Sequence, residues 1–137
     1  MSDKLRKVDY YYVMVPNKPG QGAKIMAGLA AEGVNLLAFS GFPSEGKAQL
    51  DLLPEDSGKL RRAAKKLGLT LSAKKSGFLY QGKDRVGAMT RVFDTLAGAD
   101  INVTAVDAVA SGKGRFGAIF WVKPQAVAKA ARVLGAK

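Results

Sequence analysis

The sequence predicts an α+β protein built from two copies of a small β-α-β-β-α-β module. Three pairs of segments carry this prediction, because all three pairs recur at the same offset along the chain. They are residues 17–20 with 84–87, residues 34–35 with 101–102, and residues 60–68 with 127–135. A repeat at fixed spacing indicates one supersecondary unit used twice. The predicted modules are residues 1–75 and residues 76–137.

The first copy contains all six predicted elements. Tyrosine and valine enrichment predicts the first strand, turn residues follow it, and apolar side chains at helical spacing predict each helix. The elements are a strand at 8–15, a turn at 16–20, a helix from 21 to 33 with Ile25, Met26, Leu29 and Ala30 on one face, a strand at 34–39, a hairpin turn at 44–47, a strand at 48–53, a helix from 54–57 to Gly68, and a strand at 69–75.

The second copy follows the same order but lacks its final strand. Its elements are a strand at 78–81, a turn at 84–87, a helix with Val86, Met89, Val92, Phe93 and Leu96 on one face, a strand at 101–109, a turn at 111–114, a strand at 115–122, and a helix from Pro124 to Gly135. The missing strand predicts an open sheet edge, which invites pairing. A partner chain, the N-terminal strand and residues 69–75 are equal candidates to cover it. The β-α-β-β-α-β order is that of the ferredoxin-like sandwich.

The composition limits the chemistry of the chain. It has 137 residues with no cysteine and no histidine, which excludes disulfides and thiol catalysis and removes the commonest general base and metal ligand. The acids Asp51, Asp84, Asp94, Asp100 and Asp107 are scattered. We therefore expect a non-catalytic protein with no cofactor. The longest apolar run, 116–122, is strand-sized, and the N-terminal residues lack a signal-like apolar segment. A cytoplasmic protein without membrane contact is expected.

The net charge of +11 has two interpretations. It suits a polyanionic partner such as nucleic acid. However, the basic residues are clustered only at 59–66, where a helix would turn Leu60, Ala63, Ala64 and Leu67 inward and its cations toward water. We favour a solvated basic surface.

The turns after the first strand of each copy are the most informative candidate sites. Each turn leads into a helix N-terminus, where free N–H groups and the helix dipole favour a carboxylate or phosphate. Gly20 and Gly87 allow close approach of a ligand to the backbone. Asn35 and Asn102 precede the next strand at matching positions and offer amide groups.

The segments 84–89 and 99–103 resemble the ACT domain, a small-molecule regulatory module, and 17–20 with 31–36 is similar, with Asn in place of the usual Asp. The resemblance covers nearly the whole chain. It implies amino-acid binding at an interface between paired modules, near the first turn and the start of the second strand. The implied ligand-binding residues are Asn17, Lys18, Pro19, Gly20, Gln21, Gly22 and Asn35 in the first copy, and Asp84, Arg85, Gly87, Ala88, Met89 and Asn102 in the second. Val86 replaces the proline of the first copy, so the two sites need not be equivalent.

The resemblance therefore implies a regulatory protein that binds a small amino acid. A homodimer is expected, together with a separate enzyme or transporter as the regulated partner. Two alternatives remain. RNA-recognition motifs share this topology and stack bases on strand aromatics, and residues 113–120, with Phe116 and Phe120, partly match their third-strand signature. The second alternative is a dimerisation module that binds no ligand.

Overall fold

The computed structural model describes residues 3–137, which form six strands and four α-helices. The elements are β1 (Lys4–Pro16), α1 (Gln21–Ala31), β2 (Leu36–Ser44), β3 (Lys47–Pro54), α2 (Ser57–Leu67), β4 (Lys75–Lys83), α3 (Thr90–Gly98), β5 (Val103–Gly112), β6 (Arg115–Val122) and α4 (Val127–Leu134), the last preceded by a 3-10 turn at Pro124–Ala126. The α+β class and the ferredoxin-like character of the prediction are confirmed. In residues 3–137 no helix has the length and apolarity needed to cross a membrane.

The chain divides into two compact units. The first unit is Asp9–Lys75, and the second combines residues 3–8 with Ser76–Lys137. Residues 3–8, which the sequence prediction assigned to the first module, lie in the second unit. Strand β1 therefore contributes its first residues to one unit and its remaining residues to the other.

The first unit contains the later part of β1, both strands of the β2–β3 hairpin, and helices α1 and α2. Strand β3 lies between β2 and β1 and pairs antiparallel with both. Alternate residues of a strand share one face, so Tyr11 and Val13 of β1 meet Leu52 of β3 in the core. Leu29 of α1 and Leu60 of α2 close this core from the helical side.

Helix α2 has the inward face that the sequence predicted, with one exception. Leu60, Ala63 and Ala64 are buried, whereas Leu67 is 39% exposed and lies over Gly28 of α1. The Asp56 carboxylate accepts a hydrogen bond of 3.1 Å from the Lys59 N–H and so caps the helix start. The basic side chains of this helix are exposed, as expected for a solvated face.

The strand predicted at 69–75 is not formed as such. Residues 69–74 have no regular structure, and β4 begins at Lys75. The Ser72 N–H donates to the Tyr12 carbonyl at 2.9 Å, but the Tyr12 N–H donates to the Ser72 hydroxyl, also at 2.9 Å. Because a side chain takes the place of the backbone carbonyl, this segment does not form a regular β-ladder.

The second unit obtains its fourth strand from the N-terminus. Strand β6 pairs antiparallel with both β4 and β5, and residues 4–8 of β1 lie beside β4 on its other side. Leu5 packs against a core that contains the stacked rings of Phe78 and Phe120, whose centroids are 5.3 Å apart. Of the three candidates for the open edge, the N-terminal strand is therefore the one used.

Helix α3 begins later than the sequence predicted. Its first residue is Thr90, and Val86, which the prediction placed on the apolar helix face, is fully exposed. Residues 86–89 form turns instead, in which the Ala88 N–H donates to the Arg85 carbonyl and the Thr90 N–H donates to the Gly87 carbonyl. Val92 and Leu96 are buried as predicted, whereas Phe93 is 38% exposed.

Candidate functional site

The turn between β1 and α1 presents an uncapped helix start. Asn17, Lys18 and Pro19 are exposed, and Gly20 has a left-handed backbone with φ of +92° directly before the helix. No side chain caps α1, and the first N–H groups of a helix lack carbonyl partners within it. A Cβ at Gly20 or at Gly22, the second helical residue, would meet nothing within 4 Å. This end of the helix therefore has room for an anion, although the Gln21 N–H already donates to the Lys18 carbonyl at 3.3 Å.

The asparagines occupy matching positions, as the repeat predicts. Asn35 and Asn102 are exposed, and each stands immediately before the second strand of its unit, β2 or β5. The Asn35 amide donates to the Glu55 carboxylate at 3.4 Å, and the Asn35 carbonyl accepts from the Glu55 N–H at 2.9 Å. The first asparagine is thus held by a neighbouring acid, whereas position 122, which corresponds to Glu55, is Val122 in the second copy.

The turn between β4 and α3 is longer than the turn between β1 and α1. Gly87 has a φ of +70°, yet it precedes α3 by three residues, while Gly20 directly precedes α1. A Cβ at Gly87 would lie 3.0 Å from the Thr90 hydroxyl. Met89 is half-buried against the core, and Asp84 is exposed with its N–H bonded to the Gly114 carbonyl at 2.9 Å. The two turns therefore offer different surroundings to a ligand.

An open groove in the second unit brings together two of the predicted residues, Arg85 and Ala88. Its volume is about 280 Å³. The other lining residues come from β1, β4, α3, α4 and the residue before β1, and they are Asp3, Leu5, Tyr80, Arg91, Val92, Thr95, Val133 and Leu134. Asp84, Gly87, Met89 and Asn102 do not line it. Asp3 and Tyr80 were not predicted as site residues, because they lie 77 positions apart and share no motif.

The polar end of this groove is a hydrogen-bonded cluster around the Asp3 carboxylate. This carboxylate accepts hydrogen bonds from the Tyr80 hydroxyl at 2.5 Å, from the Lys83 N–H at 3.0 Å and from the Arg85 guanidinium at 3.0 Å. These hydrogen bonds, that of Tyr80 foremost, lower the pKa of Asp3 from 3.8 to about 2. Burial, followed by the hydrogen bond to Asp3, raises the pKa of Tyr80. We call the three donors of Tyr80, Lys83 and Arg85 the carboxylate seat.

The carboxylate seat predicts a specific pH dependence. Since the pKa of Asp3 is lower in the folded state, its ionised form stabilises the fold. This contribution is fully present well above pH 3.8 and is lost as the pH falls through about 2. The melting temperature of Asp3→Asn should therefore lie below that of the wild type at pH 6 and converge with it in acid. Asp94→Asn, at an exposed position on α3, serves as the control. A constant difference between wild type and Asp3→Asn at every pH would contradict the assignment.

The aromatic residues of β6 do not form a base-stacking surface. Phe120 is fully buried in the core of the second unit, and Phe116 packs against the same core with its ring edge-on to Tyr80. In the first unit, Tyr12 is half-buried, and the Lys75 ammonium lies 6.0 Å from its ring centroid. The geometry of β6 thus gives no support to the RNA-recognition alternative.

Comparisons with known proteins identify the fold. No family model matches the chain, and no curated protein matches it in sequence. Solved structures, however, do match the chain. A protein from Bacteroides thetaiotaomicron aligns with a TM-score of 0.81 at 17% identity, over 96% of this chain and 88% of the other. The ligand-free regulatory subunit of aspartate kinase from Thermus thermophilus gives 0.63 at 15% identity, over 98% and 95%. The corresponding subunit from Thermus flavus gives 0.55 at 16%, over 98% and 94%. At these identities the likeness confirms an ACT-like fold.

Proposed function

We propose that this protein is a non-catalytic regulatory protein that binds a small amino acid at the turn preceding a module's first helix. The observation that carries the proposal is the uncapped start of α1 behind the left-handed Gly20, with open space above it. The ligand carboxylate would accept hydrogen bonds from the N–H groups of the first helical turn. The fold shared with regulatory subunits of aspartate kinase supports a regulatory output.

The residues proposed to contact the ligand in the first unit are Asn17, Lys18, Pro19, Gly20, Gln21, Gly22 and Asn35. In the second unit the proposed residues are Asp84, Arg85, Gly87, Ala88, Met89 and Asn102. Because Gly87 is separated from α3 by a further turn, we expect the two sites to differ in affinity. The first site has the more direct access to helix N–H groups.

The regulated enzyme or transporter is proposed to be a separate protein in the cytoplasm. A homodimer is proposed to form through β5, the last strand in the order β1-β4-β6-β5 of the second unit. Nearly all of β5 is exposed, including Val106 at 42% and Val109 at 62%. Exposed strand edges of this kind pair readily with a second chain.

A thermal-shift screen against the twenty amino acids tests the proposed ligand class. A ligand at a hundred times its dissociation constant stabilises the fold by about 2.7 kcal/mol, which corresponds to a rise of roughly several degrees in melting temperature. We expect one or two amino acids to produce this rise. A short single-stranded RNA is included, and a shift from RNA alone that fades with added salt would favour the nucleic-acid alternative.

Substitution of Gly20 tests the proposed position of the site. We expect Gly20→Val to reduce amino-acid affinity at least tenfold, because its side chain would occupy the open space over the helix start. The left-handed backbone also costs a non-glycine residue about 1–2 kcal/mol. Gly46→Val is the matched control, since Gly46 has a φ of +79° and equally open surroundings in the β2–β3 turn. Isothermal titration calorimetry measures the affinities of both variants. Equal losses of affinity in the two variants would contradict a binding site at Gly20.

The second site has its own matched pair of variants. Gly87→Val changes the turn before α3, and Gly114→Val places the same side chain at a φ of +72° in the β5–β6 turn with open surroundings. We expect a smaller loss of affinity from Gly87→Val than from Gly20→Val. A full loss from Gly87→Val with no effect at Gly20 would show that the second unit holds the working site.

A further inference from the structure

The carboxylate seat has the composition of an anion-binding site. A hydroxyl, a backbone N–H and a guanidinium from three different residues converge on one carboxylate group. Hydrogen bonds of this kind to an ionised acceptor are stronger than those between neutral groups. The guanidinium of Arg85 also donates to the Tyr80 hydroxyl at 3.4 Å and to the Lys83 carbonyl at 3.5 Å, so the donors hold one another in place.

The backbone of β4 leaves space for the carboxylate. A Cβ at Gly82 would lie 2.3 Å from the Asp3 Oδ1 atom and 2.6 Å from its carboxyl carbon. No side chain fits at position 82 while a carboxylate occupies the seat. Gly82 is buried, and its φ lies outside the left-handed region, so the Asp3 carboxylate, and not the backbone conformation, limits the space for a side chain here.

The groove beside the seat provides room for the rest of a small molecule. Its volume of about 280 Å³ exceeds that of a single side chain. Apolar groups from Leu5, Ala88, Val92, Val133 and Leu134 line it. Arg91 and Thr95 add a second cation and a hydroxyl. Within the described part of the chain, Asp3 is the only acidic residue that lines the groove.

We propose that the carboxylate seat and the groove bind a small organic carboxylate with a short apolar tail, and that Asp3 is its built-in competitor. The ligand carboxylate replaces that of Asp3 on Tyr80, Lys83 and Arg85, and its tail enters the apolar groove. Displacement of Asp3 releases the N-terminal end of β1 from β4. This site shares Arg85 and Ala88 with the residues proposed for the second amino-acid site. It does not depend on that proposal, because neither the asparagines nor a helix start holds the ligand and no ammonium group is required.

The competition has a direct consequence for affinity. Asp3 is tethered to the unit that it contacts, and a tethered group acts at an effective concentration of roughly millimolar or above. A free ligand must overcome this competition in the wild type. Asp3→Ala removes the competitor and leaves the Arg85 charge without its ion-pair partner. The variant should therefore bind a carboxylate more tightly than the wild type.

Titration of the full chain with sodium butyrate tests the proposal, with sodium chloride as the ionic control. We expect Asp3→Ala to bind butyrate at least tenfold more tightly than the wild type, and more tightly than it binds acetate, which lacks the apolar tail. Asp94→Ala removes the same charge from an exposed position on α3 and should bind as the wild type does. Adding Arg85→Gln to Asp3→Ala should abolish the gain.

Hydrogen exchange of the wild type provides a test that does not depend on a variant. Saturating butyrate should accelerate amide exchange in residues 4–8 and leave exchange in β6 unchanged. The proposal is overturned if Asp3→Ala binds butyrate no better than Asp94→Ala does, or if the gain in affinity persists when Arg85→Gln is added. Unchanged exchange at residues 4–8 under saturating butyrate would likewise exclude displacement of Asp3.

Discussion

Phe120→Ala should destabilise the second unit by about 3–5 kcal/mol, the range observed when a large buried aromatic side chain is truncated. Phe120 is fully buried and stacks on Phe78, with an angle of 14° between the rings. The loss combines the transfer free energy of the ring, the cavity that it leaves and the ring contact itself. Folded domains are stable by only about 5–15 kcal/mol in total, so most of the stability of this unit would disappear.

Chemical denaturation measures this effect, and Phe39→Ala is the matched control. Phe39 is an aromatic residue of β2 with 54% of its surface exposed, so its truncation should cost little. Fluorescence of the single tryptophan, Trp121 in β6, follows the unfolding of the second unit. Equal losses for the two variants would contradict the placement of Phe120 in the core.

Deletion of residues 1–8 should unfold the second unit or leave it barely stable. The deletion removes the strand beside β4, the Leu5 side chain from the core, and the Asp3 carboxylate from its three donors. Each lost backbone hydrogen bond between β1 and β4 costs about 0.5–1.5 kcal/mol. Leu5 is partly buried and contributes a fraction of the about 1.5–3 kcal/mol of a fully buried leucine. The sum is comparable to the whole stability of a small domain.

Hydrogen exchange and thermal unfolding of the deletion variant measure this loss. We expect protection to disappear from β4, whereas the amides of α1 and α2 in the first unit retain more of theirs. The control is the double variant Lys4→Ala, Lys7→Ala, which removes two exposed charges from the same strand and keeps its backbone. If the deletion melts like this control, residues 3–8 do not complete the second unit.

The sequence predicted the elements well because the repeat and the apolar spacing are local signals. The strand over Arg115–Val122 and the helix after Pro124 lie where they were predicted. The predicted start of α3 was wrong. Val86 matches the helical spacing, but the turn at Gly87 keeps it outside the helix. A residue can fit a periodic pattern and still be excluded by the backbone beside it.

The completion of the second unit could not be predicted from local pattern. Residues 4–8 and 69–75 both have β-forming character, and a partner chain would have served equally. The choice depends on Leu5 reaching the core and on Asp3 reaching Tyr80 and Lys83. Such long-range contacts leave no periodic signal. The glycine turns and asparagines were predicted at matching positions, whereas the extra turn before α3 was not.

The division of β1 between the two units has a consequence for the order of folding during synthesis. The first unit is one continuous segment, Asp9–Lys75, so all of its residues are available once Lys75 has been made. The first residues of the chain must wait for their partners, because Asp3 meets Tyr80 and Lys83 across 77 and 80 positions. Contacts across such separations form slowly. Residues 3–8 are made before the rest of the described chain and are nevertheless expected to be among the last of its residues to reach their native positions.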